Sequence, residues 1–198
     1  MLRLEATKML LSHLKDEVVV SNLGPTTDEL WIAGHRDRNF YTYGSMGLCS
    51  SMALGMALST DAKIVSLDGD GSLLMNMGTL ATVAREDPKN LVIVVWDNEE
   101  WGQTGHQKSH TAFSTDLERV ASGCGIEKTA TVRDLESLEG VFVRALAEDG
   151  PWFINAKIDE GEEYPVMPIE PEVTLYRFRR TFTDIPTGHL TTAPESRP

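Results

Sequence analysis

The chain has 198 residues, of which 41% are hydrophobic, and carries a formal net charge of −12 at pH 7. This length and composition allow one domain with a buried core and exclude wholesale disorder. The acidic balance argues against binding to nucleic acid or to an anionic membrane, because both require clustered Lys and Arg. Two widely spaced cysteines, Cys49 and Cys124, exclude a zinc site, an iron–sulfur cluster and a disulfide framework.

The location of the protein follows from similar observations. We expect both cysteines to be reduced thiols in a cytoplasmic protein. The N-terminal apolar residues are interrupted by Arg3, Glu5 and Lys8, which does not resemble a signal peptide. No apolar run approaches the roughly 20 residues needed to span a bilayer.

The predicted elements alternate between helices and strands along the chain. We predict helices over residues 2–14, from 25, from 45 to 58, 73–85, 116–122 and 135–148, and strands over 18–20, 40–43, 64–67, 91–96, 129–132 and 152–158. This alternation is typical of an α/β fold, a parallel sheet with helices on both faces. We assign residues 1–181 to a single domain. The Pro- and Thr-rich residues 182–198 are interpreted as a tail that is mobile or wraps a partner.

A glycine-rich turn follows the predicted strand over residues 64–67. Gly69, Asp70, Gly71 and Ser72 stand between that strand and the next helix. Glycines let the backbone approach a ligand closely, and N–H groups at the start of a helix suit phosphate oxygens. A carboxylate in the turn could hold Mg²⁺ beside them. Such turns are also common without any function, and we expect this one to be exposed at the sheet edge.

A second polar position lies one structural unit later in the sequence. Asn98 follows the strand over residues 91–96, and it stands 28 residues after Asp70. A strand–helix–strand unit of a parallel sheet has about this length, so both residues should emerge at the same sheet edge. The Asp70 carboxylate, the Asn98 amide oxygen and the Glu100 backbone carbonyl could then share one octahedral cation.

These motifs together resemble a known family. Gly-Asp-Gly, followed after 26 residues by Asn, is similar to the diphosphate-binding signature of thiamine-diphosphate enzymes. The strings over 39–47, 69–82 and 104–107 resemble the second subunit of sulfopyruvate decarboxylase and the matching half of phosphonopyruvate decarboxylase. The resemblance covers about residues 18–158. It implies the thiamine-diphosphate-binding fold, as a diphosphate-binding domain.

The resemblance also implies site residues. Asp70, Asn98 and the Glu100 carbonyl would bind Mg²⁺. Met46 would form an apolar wedge beneath the thiazolium, although a methionine is otherwise more often a core residue. The implied cofactor-binding residues are Gly44, Ser45, Met46, Gly69, Asp70, Gly71, Ser72, Asn98, Glu100, Trp101 and Gly102.

The resemblance implies an enzyme that needs a second chain. Thiamine chemistry uses a Glu on a separate pyrimidine-binding domain, and this chain has one α/β unit of the diphosphate type. We therefore expect a heteromer whose companion subunit supplies that Glu. The expected reaction is non-oxidative decarboxylation of a short anionic 3-substituted pyruvate, of the sulfopyruvate or phosphonopyruvate type, to an aldehyde. Alternatives are the small subunit of a carboligase or 2-oxoacid oxidoreductase, or a non-catalytic accessory subunit. The oxidoreductase alternative is weakened because the chain has no cysteine cluster for an iron–sulfur centre.

The loop over residues 101–111 is rich in hydrogen-bond donors. We expect it to lie near the reactive end of the cofactor and to pair with the anionic group of the substrate, unless it is only a solvated lid. His106 and His110 are candidate catalytic groups here, and each could instead be a solvent-facing loop histidine. The donors are Gln103, Thr104, His106, Gln107, Lys108, Ser109 and His110.

Overall fold

The computed structural model of the protein describes residues 1–159, 161 and 166–182. The strands are β1 (Val18–Ser21), β2 (Asn39–Tyr41), β3 (Ile64–Gly69), β4 (Leu91–Asp97), β5 (Glu100–Trp101), β6 (Gln107–Lys108), β7 (Lys128–Val132) and β8 (Trp152–Lys157). The helices are α1 (Arg3–Ser12), α2 (Pro25–Gly34), α3 (Cys49–Ala57), α4 (Asp70–Met75), α5 (Gly78–Glu86), α6 (Leu117–Gly123), α7 (Leu135–Ala147) and α8 (Pro171–Arg180).

Within these residues, six strands form one parallel sheet in the order β2-β1-β3-β4-β8-β7. Central strand β4 is buried along its whole length, as expected for an apolar strand covered on both faces. The strand order reverses between β1 and β3, which are neighbours in the sheet. Ligands of such sheets bind outside the carboxyl ends of the strands at this reversal.

Helices pack on both faces of the sheet, which confirms the predicted fold class. One apolar cluster joins the sheet to α1, α2 and α7 through Leu10, Leu30 and Phe142. The other joins it to α3, α5, α6 and α8, and contains Leu80 and Leu117. Each helix therefore buries one apolar stripe against a shared sheet, which fixes the loops at the two sheet edges.

The helix predicted over residues 73–85 is in fact two helices, α4 and α5. Asn76 leaves the helical conformation, with φ −146° and ψ 50°. Its side-chain amide instead donates to the Gly47 carbonyl at 3.0 Å and to Ser51 Oγ at 3.1 Å. These two hydrogen bonds tie the loop after β2 and the start of α3 to the end of α4. Their partners are 29 and 25 positions away in the sequence, so a local pattern could not reveal the break.

Helix α8 was not predicted. It covers edge strand β2, where Arg177 donates to the carbonyls of Arg36 at 2.6 Å and Asn39 at 2.8 Å. Phe178 is buried and packs against Phe40, with ring centroids 5.1 Å apart. Residues 183–198 lie outside the described residues, so the domain limit at 181 and the tail stay predictions. Among the described helices, none is long and apolar enough to cross a membrane.

Candidate functional site

A cleft of about 560 Å³ lies at the carboxyl edge of the sheet, between the loops that follow β1, β3 and β4. Every predicted cofactor-binding residue lines it except Gly44 and Ser45. The prediction that these loops meet at one edge agrees with the fold. The roles of the individual residues stay predictions.

The three predicted metal ligands meet at this cleft. One side-chain amide atom of Asn98 lies 3.2 Å from Asp70 Oδ1 and 3.1 Å from the Glu100 carbonyl oxygen, and a nitrogen in that position donates to both. If the amide turns its oxygen there instead, the facing acceptors are satisfied by a cation among them. Adjacent ligands of octahedral Mg²⁺, each about 2.1 Å from the ion, are roughly 3 Å apart. The residues present therefore fit Mg²⁺.

The chemistry of this ligand set also favours a hard cation. It consists of one carboxylate, one amide oxygen and one backbone carbonyl, which are the oxygen ligands that Mg²⁺ prefers. No group of three or more His, Cys, Asp and Glu placed to hold a metal ion occurs in the described part of the chain. A transition-metal centre built from such side chains is therefore not found there.

Asp70 is not in an exposed turn, as the sequence suggested, but is only 2% exposed. Burial raises the pKa of its carboxyl to about 6, and the nearby charge of Asp97 adds to this, while hydrogen bonds from Ser109 and Thr111 oppose it. Ser109 Oγ donates to Asp70 Oδ2 at 2.5 Å, and Thr111 Oγ1 lies 3.1 Å from the same oxygen. A cation at Oδ1 would offset the cost of burying this charge.

The charge of buried Asp97, next to the site, is balanced within the protein. Lys157 Nζ lies 2.7 Å from Asp97 Oδ2 and 2.8 Å from Glu99 Oε1. Asn155 Nδ2 donates to Asp97 Oδ2 at 3.1 Å, and Thr111 Oγ1 bonds Asp97 Oδ1 at 2.8 Å. Burial lowers the pKa of Lys157, but these carboxylates outweigh it and the net pKa is raised. Asp97 is thus neutralised by an ammonium, whereas among the described residues Asp70 has no ion pair with a Lys or Arg side chain.

The loop rich in donors forms a small hairpin, in which β5 pairs with β6. The Glu100 carboxylate accepts from Lys108 Nζ at 2.7 Å and contacts His106 Nδ1 at 3.0 Å. These bonds hold the residue whose carbonyl lies 3.1 Å from the Asn98 side-chain amide. Ser109 is fully buried, so its hydroxyl is not available to a substrate as the sequence suggested. His110 is exposed and lies edge-on to Trp101, with ring centroids 6.4 Å apart.

The glycine after Asp70 is required by the packing of an aromatic ring. A Cβ atom at Gly71 would lie 2.8 Å from Cε3 of Trp101, which is closer than any real contact. The hydroxyl of neighbouring Ser72 accepts from the Gly47 amide at 2.9 Å. It therefore anchors the loop of Met46 to α4. The predicted contact of Ser72 with a diphosphate would fall to its backbone amide.

Two cleft residues escaped the sequence-based interpretation. Asn22 Oδ1 and Trp96 Nε1 are buried and have no hydrogen-bond partner among the described residues, and both residues line the cleft. An orphaned acceptor and an orphaned donor beside a cavity are candidate ligand contacts. A signal existed for Asn22, because it is a polar residue that directly follows the end of buried strand β1. Nothing in the sequence distinguishes Trp96 from a core residue.

Comparison with known proteins identifies the family. Residues 27–156, more than half of the chain, match the family model described as "Thiamine pyrophosphate enzyme, C-terminal TPP binding domain". The chain belongs to this family. The predicted cofactor, thiamine diphosphate with Mg²⁺, is thereby confirmed as that of the family, and the ligand set described above is consistent with it.

Two relatives illustrate how the family is organised. The chain is 43% identical over 178 residues to sulfopyruvate decarboxylase subunit beta of Methanocaldococcus jannaschii, covering 89% of this chain and 94% of the relative. It is 37% identical over 192 residues to phosphonopyruvate decarboxylase of Streptomyces viridochromogenes, covering 96% of this chain and 48% of the relative. The chain thus spans nearly all of the first relative and about half of the second.

A solved structure supports the fold. The thiamine diphosphate-dependent 4-hydroxybenzoylformate decarboxylase of Rhodococcus jostii superposes with a TM-score of 0.71 at 22% identity, over 82% of this chain and 33% of that one. At this identity the likeness shows the fold alone. Together with the family match, it confirms the thiamine-diphosphate-binding fold. The relatives confirm the prediction of a thiamine-diphosphate-dependent decarboxylase subunit.

Proposed function

We propose that this chain is the diphosphate-binding subunit of a heteromeric, non-oxidative decarboxylase of short anionic 3-substituted pyruvates, of the sulfopyruvate or phosphonopyruvate type. The observation that carries the proposal is that the Asn98 side-chain amide lies 3.2 Å from Asp70 Oδ1 and 3.1 Å from the Glu100 carbonyl oxygen. Oxygens so placed suit the magnesium ion that accompanies a diphosphate.

The residues of this chain would bind and orient the cofactor. Asp70, Asn98 and the Glu100 carbonyl would hold Mg²⁺, and Gly71 would let the backbone lie close to the diphosphate. Half-buried Met46 lines the cleft and would support the cofactor from below. Once bound, thiamine diphosphate supplies the electron sink for loss of CO₂. The cleft is lined at its sheet side by residues at the ends of β3 and β4, among them Gly69 and Trp96.

A companion subunit would complete the site. The single-chain relative from Streptomyces has about twice the length of the matched region, since the chain covers 48% of it. Large apolar side chains are exposed close in sequence to residues of the site. Leu48 follows Met46 and is 47% exposed, Met75 ends α4 and is 59% exposed, and Phe113 follows Thr111 and is 78% exposed. Exposed apolar groups of this size are typical of a protein interface. We propose that they contact the subunit that carries the pyrimidine-binding domain and its Glu.

The anionic substituent of the substrate would be recognised close to the hairpin loop. Lys108 is bound by Glu100, and its side chain is 59% exposed. His110 is exposed at the end of the same loop. A neutralised lysine is a weaker anion receptor than a lone one, so His110 becomes the better candidate of the two. His106 also contacts Glu100 and stays a candidate proton carrier near the cleft.

The test is a co-expression experiment. The chain is produced with a companion carrying a pyrimidine-binding domain, and CO₂ release is measured with sulfopyruvate, phosphonopyruvate and pyruvate. We expect release that needs both chains, with the highest kcat/KM for an anionic 3-substituted substrate. His110→Ala should raise KM for that substrate more than for pyruvate and leave kcat nearly unchanged.

Other outcomes would reject the proposal. Robust turnover by the isolated chain would contradict the half-site. A ligated carbon skeleton in place of a free aldehyde would indicate the carboligase alternative. No turnover with any 2-oxoacid, despite tight cofactor binding by the pair, would indicate an accessory subunit.

A further inference from the structure

Two buried hydroxyls lie behind the Asp70 carboxylate. Ser109 is 0% exposed and Thr111 is 7% exposed, and both contact Asp70 Oδ2, at 2.5 and 3.1 Å. The hydroxyls also contact each other at 2.8 Å, and the Thr111 amide donates to Ser109 Oγ at 3.3 Å. Both therefore act on Oδ2, whereas Oδ1 lies 3.2 Å from the side-chain amide of Asn98, which also lies 3.1 Å from the Glu100 carbonyl oxygen.

The number of protons limits what these hydroxyls can do. Thr111 Oγ1 also lies 2.8 Å from Asp97 Oδ1, so four oxygen–oxygen contacts share two hydroxyl hydrogens. Each hydroxyl has one proton to donate. If Ser109 donates to Asp70 and Thr111 donates to Asp97, no donor is left for the remaining Asp70 contact. The two hydroxyls therefore bridge the two carboxylates, and Ser109 is the hydroxyl whose proton is committed to Asp70 Oδ2.

The same loop carries a metal ligand and this pair of hydroxyls. Strand β5 places the Glu100 carbonyl at the site, and the chain returns along β6 directly to Ser109. The amide of Ser109 donates to the carbonyl of Glu99 at 2.8 Å, which closes the loop at its base. The position of the hydroxyls behind Asp70 is therefore coupled to the position of the Glu100 carbonyl in front of it.

We propose that Ser109 and Thr111 are positioning residues for the magnesium site. They fix the Asp70 carboxylate through Oδ2, so that Oδ1 is held toward the cation together with Asn98 and Glu100. The inference rests on the proposed function, since it requires that Mg²⁺ binds at Asp70. Groups that orient metal ligands in this way commonly change metal affinity 10–100-fold when removed.

The test measures Mg²⁺ affinity and not turnover. Mg²⁺ is titrated by calorimetry into the full chain with its companion subunit and saturating thiamine diphosphate. Thr111→Val, which keeps the shape and removes the hydroxyl, should raise the dissociation constant for Mg²⁺ about tenfold or more. Thr111→Ser should restore it to within about threefold. Ser109→Ala should act in the same direction as Thr111→Val, and Thr111→Val alone decides the question if Ser109→Ala does not fold.

A matched control separates positioning from general stability. Thr79 is also 7% exposed, and its hydroxyl bonds Ser51 at 2.7 Å, away from the cleft residues. Thr79→Val should bind Mg²⁺ as the wild type does, even if its melting temperature falls. An equal loss of Mg²⁺ affinity in Thr79→Val and Thr111→Val would overturn the inference, because it would then reflect the fold.

Asp70→Asn distinguishes failure of the inference from failure of the site. If Asp70→Asn loses Mg²⁺ binding and Thr111→Val does not, the positioning role is wrong and the proposed site stands. If Asp70→Asn binds Mg²⁺ like the wild type, the site itself is wrong, and the inference falls with it.

Discussion

Asp68 and Asp70 flank Gly69 at the end of β3, and both are almost fully buried, with 1% and 2% exposure. Burial raises the pKa of both carboxyls. Asp68 faces donors: Ser50 Oγ at 2.7 Å, the Ser50 amide at 3.3 Å and the Gly69 amide at 2.9 Å. Asp70 has hydroxyl donors on Oδ2, while its Oδ1 lies 3.2 Å from the side-chain amide of Asn98.

The contrast shows that burial does not identify a metal ligand. Both carboxylates are equally removed from water, but the environment of Asp68 is complete without a ligand. Asp70 Oδ1 instead has the side-chain amide of Asn98 as its neighbour, and that amide also lies against the Glu100 carbonyl. We therefore propose that Asp68 serves stability and that Asp70 binds the cation.

Asp70→Asn should have the largest effect on the cofactor. We expect the dissociation constant for Mg²⁺ to rise more than about 100-fold, since a charged ligand is lost. Because the carboxylate is buried without a compensating cation in the free protein, its neutral analogue should fold with an unchanged or higher melting temperature. Calorimetry and thermal unfolding check the two parts. A large fall in melting temperature with normal Mg²⁺ affinity would reverse the assignment of the two aspartates.

Asp68→Ala should show the opposite pattern. Removal of the acceptor leaves the donors of Ser50 and Gly69 without a partner in the core, at a cost of about 2 kcal/mol. For a domain of this size the melting temperature should fall by about 4–8 °C. The folded fraction should still bind Mg²⁺ with nearly normal affinity. A loss of metal binding that is larger than the loss of stability would show that Asp68 also serves the site.

The two glycines beside these aspartates sharpen the comparison. A Cβ at Gly71 would lie 2.8 Å from the Trp101 ring, whereas one at Gly69 would lie 3.3 Å from the amide nitrogen of Asn22. Gly71→Ala should displace the ring and weaken thiamine diphosphate binding about tenfold, which corresponds to overpacking by about 1.4 kcal/mol. Gly69→Ala should have a smaller effect. Equal effects in a fluorescence titration would mean that Trp101 does not determine the shape of the site.

Lys108→Ala should have the smallest effect. Its ion pair with Glu100 is largely exposed on the lysine side, and such pairs contribute little. We expect the dissociation constant for Mg²⁺ to change less than about fivefold. A change as large as that from Asp70→Asn would mean that the hairpin ion pair, and not the buried hydroxyls, holds the Glu100 carbonyl in place.

Much of the fold followed from the sequence because its signals are local. The apolar run of β4 and the Asp134 cap of α7 each depend on neighbouring residues. The break after α4 could not be predicted from the sequence, because the Asn76 side chain forms hydrogen bonds with residues distant in the sequence. Helix α8 was missed because its stability comes from contacts with edge strand β2, such as those of Arg177.

The site also has features that the sequence predicts and features that depend on distant contacts. Asp70 and Asn98 could be placed at one sheet edge from their spacing, and the structure brings them together. The burial of Asp70 and the role of Ser109 could not be predicted, because both arise from a hairpin that folds back over α4. A loop full of donors looks solvated in sequence, and the structure turns one of those donors inward.

The most direct test of the account is a crystal structure of the assembled protein with thiamine diphosphate and Mn²⁺ in place of Mg²⁺. Anomalous scattering would locate the ion independently of the side chains. We predict one peak beside the diphosphate, about 2.1–2.2 Å from each of Asp70 Oδ1, Asn98 Oδ1 and the Glu100 carbonyl oxygen. An ion bound elsewhere, with the Asn98 amide turned to donate to Asp70 and Glu100, would contradict it.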